Sequence, residues 1–297
     1  MNFFLIRQLK QFLELRLPLL PMFYRYLRDN RDQFNEPKMT SLGFKFNGNE
    51  SMASGNFEIV ETSLVCQLLD KVDCVINVGA NIGYYTCLAA SRKKHVLAFE
   101  PMPQNVKYLL RNIKSNSYQD QVEVFPLALS DGVSIAELFG SGTGASLIKG
   151  WSGVSNKIKT YVPITSLDLI LGDRLKGVQK LFIIDVEGHE LSVLRGAMSQ
   201  IKEKIKPLWM IEISTDDHQP KGVRINPNLL ATFDLFFSHG YLVKSVDHDF
   251  KDIPREMIED MMISQTSSLV SHNFLFHAPE FNVNEISFKQ YVSERKI

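Results

Sequence analysis

Residues 75–86 read VINVGANIGYYT, an apolar run that stops at two glycines held four apart, Gly79 and Gly83, with Asn81 midway between them. An apolar strand feeding a glycine turn that opens a helix is built to approach a nucleotide, because the first backbone N–H groups of the helix face the ligand. In the dinucleotide fingerprint the middle position is also glycine, so that the backbone can meet a pyrophosphate. Here that position carries Asn81, and a side chain there suits a ligand with no phosphate to receive. Glu100 follows Gly79 by 21 residues, at the end of the next apolar run. This is the spacing at which a carboxylate accepts hydrogen bonds from a ribose diol. Adenosine without pyrophosphate therefore fits the turn better than NAD.

Outward from the turn, short apolar runs alternate with helical patterns from about residue 41. Strands are expected at 74–78, 95–99, 122–125, 181–185, 208–213, 241–246 and 273–277, and helices at 63–69, 82–91, 103–115, 189–199 and 227–239. CVINV, LFIID and LWMIEI are nearly continuous apolar runs, as strands covered by helices on both faces must be. The expected fold is α/β and Rossmann-like, a mostly parallel sheet with helices on both faces. Ligands of such sheets bind beyond the carboxyl ends of the strands, where this sequence turns polar at Asn77, Glu100, Asp185 and Glu212. Residues 132–165 break the alternation. The flexible GSGTGAS lies between two strand-like stretches, so an inserted loop or hairpin over one end of the sheet is expected, of the kind that often covers a substrate site. Its Trp151 and Tyr161 are candidates for stacking on a sugar ring.

The chain has 33 residues of each charge sign among its 297, and this balance argues against a nucleic-acid partner, which selects for basic excess. Cys66, Cys74 and Cys87 form no C-x-x-C pair and point to free thiols in a reducing, cytoplasmic setting. No uncharged run is long enough to span a bilayer. Residues 1–40 form a separate expected element, a helical extension ahead of a main domain at 41–297. It places Leu5, Leu9, Phe12 and Leu13 near one helix face and is broken at Pro18 and Pro21. Docking on the protein's own domain or on a second subunit is the expected role, with peripheral membrane contact through residues 1–27 as the alternative.

Several motifs recur together: NVGANIGYYT, FEP at 99–101, ALSD at 128–131, SLD at 166–168 and IDVEGHELSVLRGA at 184–197. In this order and spacing the chain resembles the FkbM-type S-adenosylmethionine-dependent methyltransferases over about residues 56–278. The resemblance implies methyl transfer from S-adenosylmethionine to an oxygen, most often a hydroxyl of a sugar or secondary metabolite. Carried over by position, it implies Gly79 and Gly83 for the turn, Asn77 and Asn81 near the methionine moiety, and Glu100 on the ribose. Ser130 and Asp131 fall beside the adenine, and Phe57 and Glu58 on the segment that closes over the cofactor. This chain departs from the family pattern at Asn77, usually aspartate, and at Ile183, often lysine. Loss of the aspartate charge predicts weaker cofactor binding.

Methyl transfer to an alcohol needs a general base within reach of its proton. The segment DVEGHE, residues 185–190, supplies the candidates. His189 or Asp185 is the expected base, His189 because it titrates near neutrality, with Glu187 orienting it or balancing its charge. Glu190 is expected to complement the helix N-terminus. A divalent cation on Asp185, Glu187 and Glu212 is the less favoured route, and no metal is assigned. The rival readings are an NAD-dependent oxidoreductase and a cofactor-binding module without catalysis. The acceptor is a small molecule or glycan, and a homo-oligomer is compatible with the sequence.

Overall fold

Strands buried on both faces sort their side chains by alternation, and this chain does so along its central runs. In the computed structural model, which describes residues 36–286 and 288, an antiparallel ribbon of β1 (Lys38–Met39) and β2 (Lys45–Phe46) comes first, followed by α1 (Glu50–Ser54) and α2 (Ile59–Leu69). The first half of the sheet is β3 (Cys74–Val78), β4 (His95–Phe99) and β5 (Val122–Phe125), connected by α3 (Tyr84–Ser91) and α4 (Pro103–Ser115). An insertion holds β6 (Ala128–Leu129), β7 (Ser134–Phe139) and β8 (Lys159–Thr165), and α5 (Leu167–Leu171) leads back to the sheet. The second half runs β9 (Lys180–Ile184), α6 (Glu190–Arg195), α7 (Met198–Ile201), β10 (Leu208–Glu212), α8 (Leu229–Phe237), β11 (Leu242–Ser245), α9 (Arg255–Ser264) and β12 (Asn273–His277).

The seven-stranded sheet has the order β11-β12-β10-β9-β3-β4-β5. All neighbouring pairs from β10 to β5 are parallel, and β12 alone runs against both of its neighbours. Val75, Val96, Ile183 and Met210 point to one face, where α2, α3, α4 and the ribbon residues Phe44 and Phe46 cover them. Ile76, Leu97, Phe182 and Trp209 point to the other, under α6, α8 and α9. Each face thus has its own apolar layer, and the expected α/β fold is the one observed.

The order in which strands are added reverses between β3 and β9, which are adjacent and parallel although β4, β5 and the insertion lie between them in sequence. In an open α/β sheet that crevice is where ligands sit. Four expected strands have the observed bounds, and the differences elsewhere have local causes. Helix α3 begins at Tyr84 rather than 82 because Asn81 and Gly83 are in the left-handed conformation. The helix expected over 189–199 divides into α6 and α7 at Gly196, where a Cβ would lie 2.0 Å from the Ser130 carbonyl oxygen. The Gly196 carbonyl also accepts from the Asp168 N–H. Helix α9 occupies a stretch in which the sequence reading placed no element. Of the helical extension expected at 1–40, residues 1–35 lie outside the described residues, and Lys38–Met39 form strand β1 rather than helix.

Candidate functional site

At the end of β3, Gly79 has φ +80°, and a Cβ there would stand 1.8 Å from the carbonyl oxygen of Asp185 at the end of β9. Glycine is required at that point by the neighbouring strand itself. The N–H groups of Gly79 and Ala80 both donate to Phe99 O, which ties the turn to β4. Asn81 follows with φ +52°, a conformation asparagine tolerates better than most side chains. Its N–H donates to Glu100 Oε2 at 2.8 Å, while Glu100 Oε1 accepts from the Met102 N–H at 2.9 Å and from Asn105 Nδ2 at 3.1 Å. The N–H that a phosphate-binding turn offers to its ligand is therefore held by the protein's own carboxylate. Glu100 is buried, and burial raises its pKa against the lowering effect of these three bonds. An ionised carboxylate has about four acceptor positions, so one remains for a ligand at the cleft. Asn77 lies beneath the turn, where its Nδ2 donates to Thr86 Oγ1 at 2.9 Å, both residues buried.

Beside the turn the site is acidic. Asp185 and Glu212 extend from the ends of β9 and β10, whose register pairs Ile184 with Ile211. Glu58 caps α2 with φ +42° and accepts from the Tyr85 hydroxyl at 2.6 Å. Burial, and then the charges of Glu212, Glu187, Glu58 and Glu190, hold the Asp185 carboxyl well above its usual range. Burial likewise pushes Glu212 to about 8 and Glu58 to about 7, each with other carboxylates adding to the rise. Glu190 is buried rather than solvated. It accepts from the Gly188 N–H at 2.9 Å, and burial raises it to about 7. Among the described residues, no three Asp, Glu, His or Cys side chains converge as metal ligands, and this includes Asp185, Glu187 and Glu212.

The loop after β9 is clasped by the insertion. Glu187 has φ +52°, its carbonyl accepts from Ser146 Oγ at 2.6 Å, and its Oε2 accepts from Trp151 Nε1 at 2.8 Å. Gly188 has φ +96°, and a Cβ on it would meet the Trp151 ring at 2.5 Å. Trp151 is thus a buried packing element of the site, and Tyr161 lies on the outer face of the hairpin with 64% of its surface exposed, its hydroxyl on Glu137. Neither ring lines the cleft. His189 places Nε2 3.1 Å from Ser130 Oγ, which also reaches Asp131 Oδ1 at 3.3 Å. Burial lowers the pKa of His189, opposed by the charge of Asp131, so the ring is neutral near pH 7.

Two cavities meet here. The inner cleft has Gly79, Asn81 and Glu100 at its floor, Asp185, Glu187 and His189 on one wall, and Gly142 to Leu147 of the insertion as its roof. Its free volume is about 50 Å³. A nucleoside would enter only after the roof moves outward, for pockets that bury small ligands enclose about 300–1,000 Å³. The outer groove has a free volume of about 720 Å³. Asn105, Gly142, Thr143 and Glu187 border both. Glu187 is the one carboxylate in that shared wall among the described residues. The sequence reading did not single out Asn105, which braces Glu100 and also donates to Gly142 O at 3.2 Å. Its place five residues after Glu100, in the first turns of α4, is the signal that was available.

Among known proteins, residues 77–252 match the family described as the Methyltransferase FkbM domain. The chain is 28% identical over 208 residues to the AMB antimetabolite synthetase AmbE of Pseudomonas aeruginosa, a match covering 57% of this chain and 9% of that protein. The chain therefore spans less than a tenth of this curated relative. Among solved structures, a methyltransferase FkbM from Methylobacillus flagellatus KT aligns over 77% of this chain and 56% of its own, with 16% identity and a TM-score of 0.42. A precorrin-6y C5,15-methyltransferase from Geobacter metallireducens GS-15 aligns over 78% of this chain and 92% of its own, with 11% identity and a TM-score of 0.38. Among the described residues, no helix is long and apolar enough to cross a membrane.

Proposed function

The chain belongs to the FkbM methyltransferase family, and on that premise we propose that it transfers a methyl group from S-adenosylmethionine to a hydroxyl oxygen of a sugar, glycan or secondary metabolite. One observation carries this reading. Glu100 closes the turn to phosphate by holding the Asn81 N–H, while Asp185, Glu212 and Glu58 crowd carboxyl groups together beside it, whose protons a cationic ligand would displace. A cleft of this kind favours a nucleoside that carries positive charge in place of a pyrophosphate. The residues present fit such a ligand: Glu100 would have an acceptor position left for the ribose, His189 with its partner Ser130 would meet the adenine, and Asp185 would meet the cationic end. The NAD-dependent alternative loses the backbone donor that its pyrophosphate would need.

When bound, S-adenosylmethionine supplies a methyl carbon on a sulfonium sulfur. The residues of the chain must then hold the acceptor oxygen in line with that carbon, exclude water and take the hydroxyl proton. Glu187 is placed for the last task. It borders both the cleft and the groove, its Oε2 is fixed by Trp151, and the left-handed backbone at 187 and 188 is set by the same contact. Glu187 would take the hydroxyl proton as the acceptor oxygen is methylated. His189 is turned toward Ser130 at the adenine end, and Asp185 holds its proton more tightly than an ordinary aspartate, so both are assigned to the cofactor rather than to the acceptor proton.

The test is transfer of tritiated methyl from S-adenosylmethionine to fractionated cell extract. Glu187→Gln is expected to lower turnover by about 10²–10⁴-fold, the range a general base contributes, and to leave S-adenosylhomocysteine binding within about threefold. Full turnover in Glu187→Gln removes the base assignment. Absence of labelled product with any extract removes methyl transfer and leaves the module without catalysis.

A further inference from the structure

Beyond β10 the chain reads STDDHQP, residues 214–220, a run of short polar side chains of the kind that bond to nearby backbone and stiffen a loop. Ser214 Oγ donates to Asp217 O, and Thr215 Oγ1 donates to Ser267 Oγ at 2.9 Å. Asn226 Nδ2 donates to Ser214 O at 3.0 Å, and the Asn226 N–H donates to Thr215 O at 2.7 Å. Ser214, Thr215 and Asn226 are all buried, so the loop is anchored where it leaves the sheet. His218 follows in the left-handed conformation, at φ +63°.

His218 meets the insertion twice. Its carbonyl accepts from the Ser152 N–H at 2.6 Å, and Ser152 is itself left-handed at φ +49°. Its ring lies 6.2 Å from the Trp151 ring, inclined at 60°, an edge-to-face arrangement of the kind aromatic pairs prefer. Trp151 is therefore held from two further loops, by Gly188 and the Glu187 carboxylate after β9 and by His218 after β10. Left-handed backbone at a residue other than glycine persists where surrounding contacts over-determine it. Three of the ten such residues among those described, Ser152, Glu187 and His218, converge on this one indole. The direction of its Nε1, and with it the place of the Glu187 carboxylate, is set by all three loops together.

We propose that His218 is a positioning residue for methyl transfer, which sets Trp151 through the Ser152 N–H and the ring contact, so that Trp151 orients the Glu187 carboxylate. The proposal rests on the reading of Glu187 as the base and adds the loop after β10 to the parts that this reading requires. His218 also lines the outer groove, so direct contact with the acceptor is the rival role. The two differ in one respect. An acceptor contact matters whether or not Glu187 is present, whereas a residue acting through Glu187 has nothing left to do once that carboxylate is gone.

Two variants of the full chain separate the ring from the backbone. His218→Asn removes the ring and keeps a residue that tolerates the left-handed conformation, and His218→Phe restores a flat ring. Quenching of tryptophan emission by acrylamide is read first, because it needs no acceptor. The chain has two tryptophans, Trp151 and Trp209, both buried, so both should be protected in the wild type. In His218→Asn the Trp151 part of the emission is expected to become quenchable while Trp209, stacked on Phe182, stays protected, and His218→Phe is expected to restore protection. Tritiated methyl transfer to fractionated cell extract is expected to fall about two- to tenfold in His218→Asn, the range an aromatic pair is worth, and to recover in His218→Phe. S-adenosylhomocysteine affinity should stay within about twofold, and Glu187→Gln should show the same residual turnover with or without His218→Asn. Trp151 as well protected in His218→Asn as in the wild type overturns the proposal, and so does a further fall in turnover when His218→Asn is added to Glu187→Gln. Quenching of Trp209 as well would show that His218 holds the fold rather than the indole, and overturns it equally. Full turnover in Glu187→Gln refutes the base reading instead, and the quenching still decides whether His218 holds Trp151.

Discussion

The floor and the roof of the inner cleft are built on different principles. The floor is fixed by sheet register. Val78 pairs with Ile184 across β3 and β9, the Asp185 N–H donates to Val78 O at 3.0 Å, and Gly79 meets the Asp185 carbonyl so closely that no side chain fits. The roof, Gly142 to Leu147, is fastened to the insertion instead: Ser146 and Phe139 exchange two backbone hydrogen bonds, Ala145 and Leu147 pack against Met102, Ala128, Leu138 and Val162, Asn105 donates to Gly142 O, and Ser146 Oγ donates to Glu187 O. The sheet edge positions the groups that select the ligand, and a segment outside the sheet closes over them.

Changes at the floor should therefore have the larger effects. Gly79→Ala adds a Cβ where the Asp185 carbonyl already stands, in a backbone conformation that alanine resists. Loss of the folded state, or a fall in stability of about 3 kcal/mol or more, is expected on chemical denaturation. A stable Gly79→Ala protein would show that the two strand ends part more easily than their packing implies. At the roof, Trp151→Phe keeps the ring over Gly188 and deletes one charge-assisted hydrogen bond, worth about 1.5–3 kcal/mol. Turnover should fall about tenfold, since the Glu187 carboxylate loses the donor that orients it. S-adenosylhomocysteine affinity should change less than about threefold. Unchanged turnover would separate Trp151 from the base.

A smaller effect comes from protons. Glu58 and Glu212 titrate near 7 and 8 in the fold against an ordinary value of 4.5, so the folded chain binds more protons than the unfolded chain between those values. Stability should fall as pH rises through that window, with Tm lower by several degrees at about pH 8.5 than at about pH 6. Over the same range the newly ionised carboxylates should favour S-adenosylmethionine, which carries the sulfonium charge, over S-adenosylhomocysteine, which does not. A flat ratio of the two affinities would detach the acidic wall from the sulfonium.

The same contrast explains what was legible in the sequence. The strands β3, β4, β5 and β12 were readable to the residue because each is a short apolar run closed by polar or turn residues, and the glycine turn and Glu100 lie at fixed distances from them. The docking of Trp151 on Gly188 joins positions far apart in the chain, and no local pattern marks it. Trp151 was a candidate for sugar stacking because an aromatic in an insertion reads the same whether it faces a ligand or the protein. The reading of Glu190 as a complement to the helix N-terminus carried no sign of its burial, which depends on the Gly188 N–H that the left-handed turn presents. Helix α9 escaped notice because its polar face dominates, with Ile258 and Met261 as its buried residues.

Calorimetric titration of S-adenosylhomocysteine, and separately of NAD, into the wild-type chain and Glu100→Ala tests the central claim most directly. The wild type is expected to bind S-adenosylhomocysteine and not NAD, and Glu100→Ala to lose about a hundredfold or more in affinity, near 2.7 kcal/mol. Binding of NAD by the wild type, or S-adenosylhomocysteine affinity untouched by Glu100→Ala, would contradict the account.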